Sequence, residues 1–130
     1  VIMDSYRYIE ADDYYDMAMG WLKGRNRQKA EECLLKTLDL NPCFIHAYID
    51  LAGLYARTDR YKDAVHVLKK ATQHDPSFDR LHYLMAKYAC RNGDYVNAGI
   101  FIGRAIDLNP RDLYLSVKDA IDRKYRSRPR

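Results

Sequence analysis

The sequence predicts an all-α fold, an α-solenoid of three antiparallel helix pairs closed by a C-terminal capping helix. The first observation is a period, because Pro42, Pro76 and Pro110 stand 34 residues apart and such a period indicates stacked structural repeats. The second is that small and large apolar residues return in matching columns of the three units. The third is composition: 48% hydrophobic and 31% charged residues in a chain of 130 are typical of a globular domain rather than a disordered one.

The columns predict how the two helices of each unit pack. Antiparallel helices approach closely only where small side chains meet, and Ala allows this without the entropic cost of Gly. Larger apolar residues fill the space on either side. The alanine columns are Ala18, Ala52 and Ala86, and Ala30, Ala64 and Ala98; the larger columns are Met17, Leu51 and Met85, and Leu34, Leu68 and Ile102.

Each unit is predicted to contain two helices joined by a short turn. Asp59 and Asp94 follow the second and third turns and suit the N-cap position of the next helix. Proline ends each unit, because the residue before it is disfavoured in helical geometry while its own φ suits a helix start. The predicted pairs are 11–24 with 27–40, 45–57 with 60–74, and 79–91 with 94–108.

Two segments lie outside the repeats. Residues 1–10 have apolar spacing at Ile2, Tyr6 and Ile9, so they either extend or precede the first helix. Residues 112–126 predict a seventh helix with one apolar face, which would cover the open end of the stack. The alternative is the first helix of a truncated fourth repeat. The expected apolar face contains Leu113, Val117, Ala120 and Ile121, with Tyr114 and Tyr125 nearby.

The pattern aromatic-x-x-apolar-Ala-x-x-aromatic, then Ala-x-x-x-Leu, then Pro resembles the tetratricopeptide repeat. Three departures are visible: Arg25 stands where a turn glycine is usual, and His82 and Ala89 replace aromatics, which is expected to weaken packing locally. The resemblance implies a right-handed superhelix with the first helix of each pair lining its concave side. It divides the chain into an N-terminal extension (1–10), repeats at 11–44, 45–78 and 79–112, a capping helix (113–126) and a basic tail (127–130).

The residues expected to face this concave groove combine apolar or amphipathic side chains with a basic edge. Tyr and Met are favoured at peptide-contacting surfaces, and a glycine leaves a hollow between them. We therefore expect the groove to bind a peptide with an apolar anchor and acidic flanks. The alternative is that the aromatics pack against neighbouring helices and the basic residues form a solvated rim. The predicted groove residues are Tyr15, Met19 and Lys23, with Asp12 and Asp16; His46, Ile49, Asp50, Gly53 and Arg57; and Arg80, Tyr83, Leu84, Lys87 and Arg91.

One binding mode of the family can be compared directly with the sequence. Some tetratricopeptide domains hold the C-terminal carboxylate of a chaperone with Lys, Asn and Arg side chains on their first helices. The matching positions here are Tyr15, Met19, Asp50, Arg80 and Leu84. Only Arg80 keeps the residue type, and Asp50 would repel a carboxylate. Chaperone-tail binding of that kind is therefore not expected.

No pattern in the sequence is typical of an enzyme, a metal site or a cofactor site. Gly-rich phosphate loops and nucleophile motifs are absent. His46 and Asp50 lie on one helix face, and Asp16 could approach them, but a zinc site needs three or four protein ligands. A polar pair in the groove is the better interpretation, and we expect no catalytic residues, metal or cofactor. The three cysteines form no CxxC pair, which predicts buried or half-buried reduced thiols in a cytoplasmic, reducing compartment.

The two ends of the chain carry opposite charge. Residues 1–24 contain five acidic and two basic residues, whereas residues 111–130 contain seven basic and three acidic ones. The Arg-rich end could contact phosphates while Tyr125 stacks on a base, but it is confined to a tail, so we do not expect nucleic-acid binding. No apolar run reaches the roughly 18–20 residues of a membrane helix.

We therefore predict a non-enzymatic protein–protein interaction module of adaptor, scaffold or co-chaperone type. The alternative is a structural assembly unit. Its acidic start and basic end would favour head-to-tail contact between copies, as a homo-oligomer, or with further repeats of a longer chain.

Overall fold

Seven helices account for the secondary structure of residues 2–129, which the computed structural model describes, with side chains described for residues 5–129. No strand occurs in this range, so the predicted all-α solenoid is confirmed. Val1 and Arg130, at the ends of the predicted extension and tail, lie outside the described residues, as does the side chain of Ile2. The helices are α1 (Ile2–Lys23), α2 (Arg27–Leu40), α3 (Ile45–Arg57), α4 (Tyr61–His74), α5 (Asp79–Arg91), α6 (Tyr95–Leu108) and α7 (Asp112–Ser127).

The helices pack in chain order, as a solenoid requires. Helices α1 and α2, α3 and α4, and α5 and α6 form pairs, and α2–α3, α4–α5 and α6–α7 contacts join each pair to the next element. Isolated helices of about 14 residues are marginal in water, so each pair depends on its neighbours for stability. The alanines of the two predicted columns are fully buried where the helices cross: Ala18, Ala30, Ala52, Ala64, Ala86 and Ala98.

The three turns within the pairs share a left-handed residue. Arg25 has φ +60°, Asp59 has φ +60°, and Gly93, in the same column, has φ +79°. For a non-glycine residue this conformation costs on the order of 1 kcal/mol. The prediction of Asp59 as an N-cap is wrong, since its left-handed geometry delays the helix start and Arg60 takes the cap position without a side-chain bond. Asp94 does cap α6, accepting a hydrogen bond from the Asn97 backbone N–H at 3.2 Å.

The proline turns before α3 and α5 each accept a hydrogen bond from the helix that follows. The Tyr48 hydroxyl donates to the Pro42 carbonyl at 2.7 Å. In the same column of the next repeat, His82 Nε2 donates to the Pro76 carbonyl at 3.0 Å. His82 is buried, so replacement of the aromatic keeps both the burial and the hydrogen bond of this column.

The first end of the stack departs from the column prediction. Leu51 and Met85 are 2% and 1% exposed, but Met17 in the same column is 51% exposed. No helix pair precedes α1 in the described structure, so the face that Leu51 and Met85 bury against a preceding pair stays open at Met17. Residues 2–10 continue α1 without a break, so this segment extends the first helix.

The second end also differs from its prediction. In α7, Tyr114 and Ile121 are buried and Val117 is half-buried, at a spacing that forms one helical stripe. Leu113 and Ala120 are exposed, so their assignment to the apolar face is wrong, because they lie one position to the side of that stripe.

Candidate functional site

The first helices of the three pairs and α7 lie side by side, and we call the surface they form the first-helix face. The Tyr15 hydroxyl on α1 donates to Asp50 Oδ2 on α3 at 2.5 Å. At the other end, the Tyr114 hydroxyl on α7 donates to Asp79 Oδ2 on α5 at 2.5 Å. These lateral hydrogen bonds hold neighbouring first helices in register.

Tyr15 is the centre of the α1–α3 half of this face. Its ring centroid lies 4.7 Å from that of Phe44, the residue that precedes α3. The pKa of Tyr15 is raised well above its ordinary value, chiefly because burial disfavours the phenolate, and further by the hydrogen bond and charge of Asp50. The carboxylate of Asp50 therefore already accepts one hydrogen bond from within the fold.

The α5–α7 half has an apolar floor. The Tyr83 ring stacks on Tyr114 with centroids 5.2 Å apart. Leu84 is only 7% exposed and belongs to the buried core that includes Tyr114 and Ile121 of α7. The prediction that Leu84 faces a partner in the groove is therefore wrong, because its side chain is a core residue beneath that surface.

The charges of three arginines influence the Tyr88 hydroxyl on α5. Burial raises the pKa of Tyr88, and the positive charges of Arg91, Arg80 and Arg57 act in the opposite direction. Lys87 Nζ lies 5.9 Å from the centroid of the same ring. None of these three arginines takes part in an ion pair within the described part of the chain. Arg57, Arg80 and Arg91 were predicted as groove residues from separate parts of the sequence, and all three lower the pKa of the same tyrosine.

The remaining predicted groove residues divide by exposure. Met19, Ile49 and Tyr83 are half-buried and pack against the core, so part of each side chain stabilises the fold and part remains accessible. A Cβ added at Gly53 would meet no atom within 4 Å, so the space beside this glycine is open. The exposed residues are Lys23, His46, Arg57, Arg80 and Arg91; the half-buried ones are Tyr15, Met19, Ile49, Asp50, Gly53, Tyr83 and Lys87.

Comparison with protein families gives a match over half of the chain. The family described as "Tetratricopeptide repeat" matches residues 22–88. The chain belongs to the tetratricopeptide repeat family. Its members are protein-interaction modules, not enzymes, and this chain is one of them. A comparison with curated proteins found no match.

Solved tetratricopeptide structures share this fold at low identity. The first tetratricopeptide domain of Spaghetti (RPAP3), bound to the HSP90 peptide SRMEEVD, is 16% identical with a TM-score of 0.82, covering 92% of this chain and 96% of that one. The N-terminal domain of stress-induced protein-1 from C. elegans is 16% identical with a TM-score of 0.81, covering 89% and 97%. The Yersinia enterocolitica type III secretion chaperone SycD, in complex with a peptide of the translocator YopD, is 16% identical with a TM-score of 0.78, covering 88% and 93%.

Three aromatic residues that support this tetratricopeptide surface were not predicted; Tyr88 and Tyr114 are buried beneath it and Phe44 is half-buried. Phe44 precedes a helix, Tyr88 was assigned to neither the core nor the groove, and Tyr114 was assigned to the cap alone. Each contacts or faces a predicted groove residue. The available signal was position: Phe44 and Phe78 stand 34 residues apart, immediately before the first helix of a repeat.

The three cysteines of this tetratricopeptide chain differ in exposure. Among the described residues no three His, Cys, Asp or Glu side chains are grouped so that they could hold a metal ion. Cys33 is buried and Cys90 half-buried, but Cys43 is exposed, so the expectation that all three thiols are shielded is wrong for Cys43. It lies in the loop before α3, with Sγ 3.4 Å from His74 Nδ1.

The basic C-terminal segment is largely helical. Helix α7 continues to Ser127, so Arg123, Lys124 and Arg126 are helix residues. The Arg128 guanidinium carbon lies 3.8 Å from the centroid of the Tyr125 ring and covers one face of it. Within residues 2–129 no helix combines the length and the apolar character that a membrane span requires.

Proposed function

We propose that the first-helix face binds a peptide segment of a partner protein that carries an apolar anchor and acidic flanks. The apolar anchor would contact Tyr15, Met19, Ile49 and Tyr83, with space over Gly53. The acidic flank would meet the basic residues of α3 and α5. The proposed contact residues are Tyr15, Met19, Lys23, His46, Ile49, Asp50, Gly53, Arg57, Arg80, Tyr83, Lys87 and Arg91, without the buried Leu84.

One observation carries this proposal: Arg57, Arg80 and Arg91 are exposed on α3 and α5, and no acidic side chain in the described structure pairs with them. Guanidinium groups bind carboxylates in a bidentate geometry and are favoured at interfaces. A preformed face of packed helices also spares much of the ordering cost of binding. The peptides in the Spaghetti and SycD structures agree with a peptide ligand of some kind.

The ligand is proposed to differ from a chaperone tail. Asp50 and Tyr15, two of the positions that would clamp a terminal carboxylate in such domains, are hydrogen-bonded to each other. A third, Leu84, is buried. An internal acidic segment fits the remaining basic residues better than a terminal carboxylate.

The test is a selection of random displayed peptides on the wild-type protein, followed by fluorescence titration of the best binder. We expect enrichment of an apolar residue flanked by Asp or Glu. Arg80→Glu plus Arg91→Glu should weaken that binder by at least about tenfold and reduce the salt dependence of binding. The charge-matched control is Lys36→Glu plus Arg104→Glu, exposed on α2 and α6, which should leave affinity unchanged. Equal affinity of both double variants would contradict the proposal.

Steric blocking gives an independent test of the same surface. Gly53 on α3 and Gly103 on α6 are both half-buried, and an added Cβ meets open space at each. Gly53→Leu should reduce peptide affinity because the side chain fills the hollow, whereas Gly103→Leu should not. If both variants bind as the wild type does, the peptide does not lie over α3.

A second candidate function is assembly through the ends of the stack. Met17 on α1 is 51% exposed, and Leu113 and Leu115 on α7 are 47% and 45% exposed, while the two ends of the chain carry opposite charge. Sedimentation at several protein and salt concentrations tests this candidate. Self-association that disappears as salt rises would support it, and a monomer under all conditions would exclude self-assembly.

A further inference from the structure

The surface seam between consecutive second helices holds an aromatic ring in the second repeat. Tyr55, near the end of α3, donates its hydroxyl hydrogen to Glu31 on α2 at 3.0 Å. The Arg60 guanidinium carbon lies 4.3 Å from the centroid of its ring. Burial and the hydrogen bond to Glu31 together raise the pKa of Tyr55 to about 12. In the first repeat the same column holds Trp21, with Lys29 Nζ 4.4 Å from the ring centroid.

The third repeat has Ala89 in this column, and a pocket lies there. The side chain stops at Cβ and is buried, and a pocket of about 290 Å³ opens over it, with Tyr61, Val65 and Phe101 among its walls. This volume is close to the lower end of the range of about 300–1,000 Å³ for ligand pockets. It suits one large side chain rather than an extended ligand.

The preceding seam shows which kind of group belongs in this pocket. A hollow between α2 and α4 is lined by Tyr55 together with Arg60 and Val67. Their counterparts 34 residues later are Ala89, Asp94 and Phe101, which line the pocket between α4 and α6. Tyr55 forms one wall of the hollow in the second repeat, and Ala89 stands at the same position in the wall of the third-repeat pocket.

The rim of the pocket carries unpaired positive charge. Lys62 and Lys69 of α4 are exposed on it, and neither takes part in an ion pair within the described residues. The carboxylate of Asp94 is already engaged, since it accepts hydrogen bonds from the Asn97 backbone N–H at 3.2 Å and from Asn97 Nδ2 at 2.7 Å. Asp94 keeps its negative charge, so Lys62 and Lys69 leave the lining with a net formal charge of +1 (two positive, one negative, His66 neutral), which complements a carboxylate.

We propose that the pocket over Ala89 binds an aromatic side chain, tyrosine or phenylalanine, from an acidic segment of a partner protein. The ring takes the place that Tyr55 fills in the preceding repeat, and flanking Asp or Glu residues pair with Lys62 and Lys69. This site opens between α4 and α6 over Ala89 of α5, and its tests do not depend on peptide binding on the first-helix face.

The first experiment uses short probes and ¹H–¹⁵N NMR of the whole chain. Acetyl-Asp-Tyr-Glu-amide should shift the amide signals of Val65, Ala89 and Asn97, with an affinity in the millimolar range. Acetyl-Asp-Ala-Glu-amide should give no saturable shift there. Equal shifts with both probes would show that the pocket does not bind the ring. Stronger binding of acetyl-Lys-Tyr-Lys-amide would contradict the proposal that acidic residues flank the ring.

The second experiment fills the pocket from within. Ala89→Tyr should raise or maintain the melting temperature, because the ring enters existing space, and it should weaken the tyrosine probe by at least about tenfold. A lower melting temperature, or unchanged probe affinity, would contradict the proposal.

The double variant Lys62→Glu plus Lys69→Glu changes only exposed side chains. This variant should lose the preference for the acidic probe over acetyl-Asn-Tyr-Gln-amide, and a preserved preference would contradict the proposed acidic flanks.

Discussion

The two halves of the first-helix face place different residues in the same repeat columns. In the α1–α3 half, Asp50 is half-buried and accepts a hydrogen bond from Tyr15. In the α5–α7 half, the residue 34 positions later is Leu84, which is buried in the core. The tyrosines of the neighbouring column differ as well, since Tyr15 uses its hydroxyl in a lateral hydrogen bond whereas Tyr83 stacks its ring on Tyr114.

This difference explains why the charges of the two halves are not equally available. A carboxylate in the α1–α3 half is held by a hydroxyl of the neighbouring repeat, so its hydrogen-bonding capacity is partly used. The α5–α7 half buries an apolar side chain in the corresponding column and leaves its guanidinium groups outside, without ion pairs in the described structure. Residues in the same repeat column therefore occupy equivalent backbone positions, but one can be a core residue while another is accessible at the surface.

The largest effect expected from this comparison is on stability in the α5–α7 half. Leu84→Ala should lower the free energy of unfolding by about 2–4 kcal/mol, because it leaves a cavity in the core. Leu113→Ala, at an exposed position of α7, should change it by less than about 0.5 kcal/mol. Urea unfolding followed by circular dichroism measures both. Similar changes in the free energy of unfolding for the two variants would indicate that Leu84 is a surface residue.

In the α1–α3 half, Tyr15→Phe should lower the free energy of unfolding by about 1 kcal/mol, the net value of one hydrogen bond. Because the pKa of Tyr15 is raised on folding, its contribution is fully present below pH about 10, the ordinary tyrosine value, and is lost as pH rises through the raised value. The variant should therefore lose less stability in alkali than the wild type. Tyr6→Phe, at an exposed tyrosine, is the control; if it behaves as Tyr15→Phe does, the bond to Asp50 contributes nothing.

At the boundary between the halves, Gly53→Ala should raise the free energy of unfolding by about 0.5–1 kcal/mol. Glycine inside a helix costs backbone entropy, and the added Cβ meets no atom within 4 Å. Thermal unfolding gives the measurement, with Gly103→Ala as the matched change on α6. A loss of stability at Gly53 alone would indicate that its space is smaller than described.

The smallest expected effect is a change in the pKa of Tyr88 when one of the nearby arginine charges is removed. Arg91→Gln should raise the pKa of Tyr88 further, because Arg91 is the strongest of the charges that oppose the effect of burial. Titration of the tyrosine ζ carbons by ¹³C NMR measures this shift. Arg104→Gln, on α6, should leave the Tyr88 titration unchanged. Equal titration curves for both variants would show that Arg91 does not influence the pKa of Tyr88.

The period alone predicted most helix bounds and the buried alanines, because every repeat must bury the same crossing. The assignment of Leu113 to the apolar face of α7 came from helical spacing and failed because Leu113 lies beside the buried stripe. The period itself failed at the first end of the stack, since burial of Met17 depends on a neighbour that a column does not contain. It also failed at Leu84 and missed the bond between Tyr15 and Asp50. Both depend on how adjacent first helices align sideways, and the alignment of the three units carries no information about that contact.

The hydrogen bonds from Tyr48 and His82 to the proline carbonyls have a consequence for how such sequences are interpreted. What this column requires is an N–H or O–H group at a fixed reach from the preceding turn, and an imidazole meets that requirement as a phenol does. The carbonyl oxygen can only accept, so it selects the Nε2–H tautomer of His82 and leaves Nδ1 without a partner in the described structure. Tyrosine and histidine, although chemically different, thus make the same hydrogen bond to the turn between neighbouring repeats.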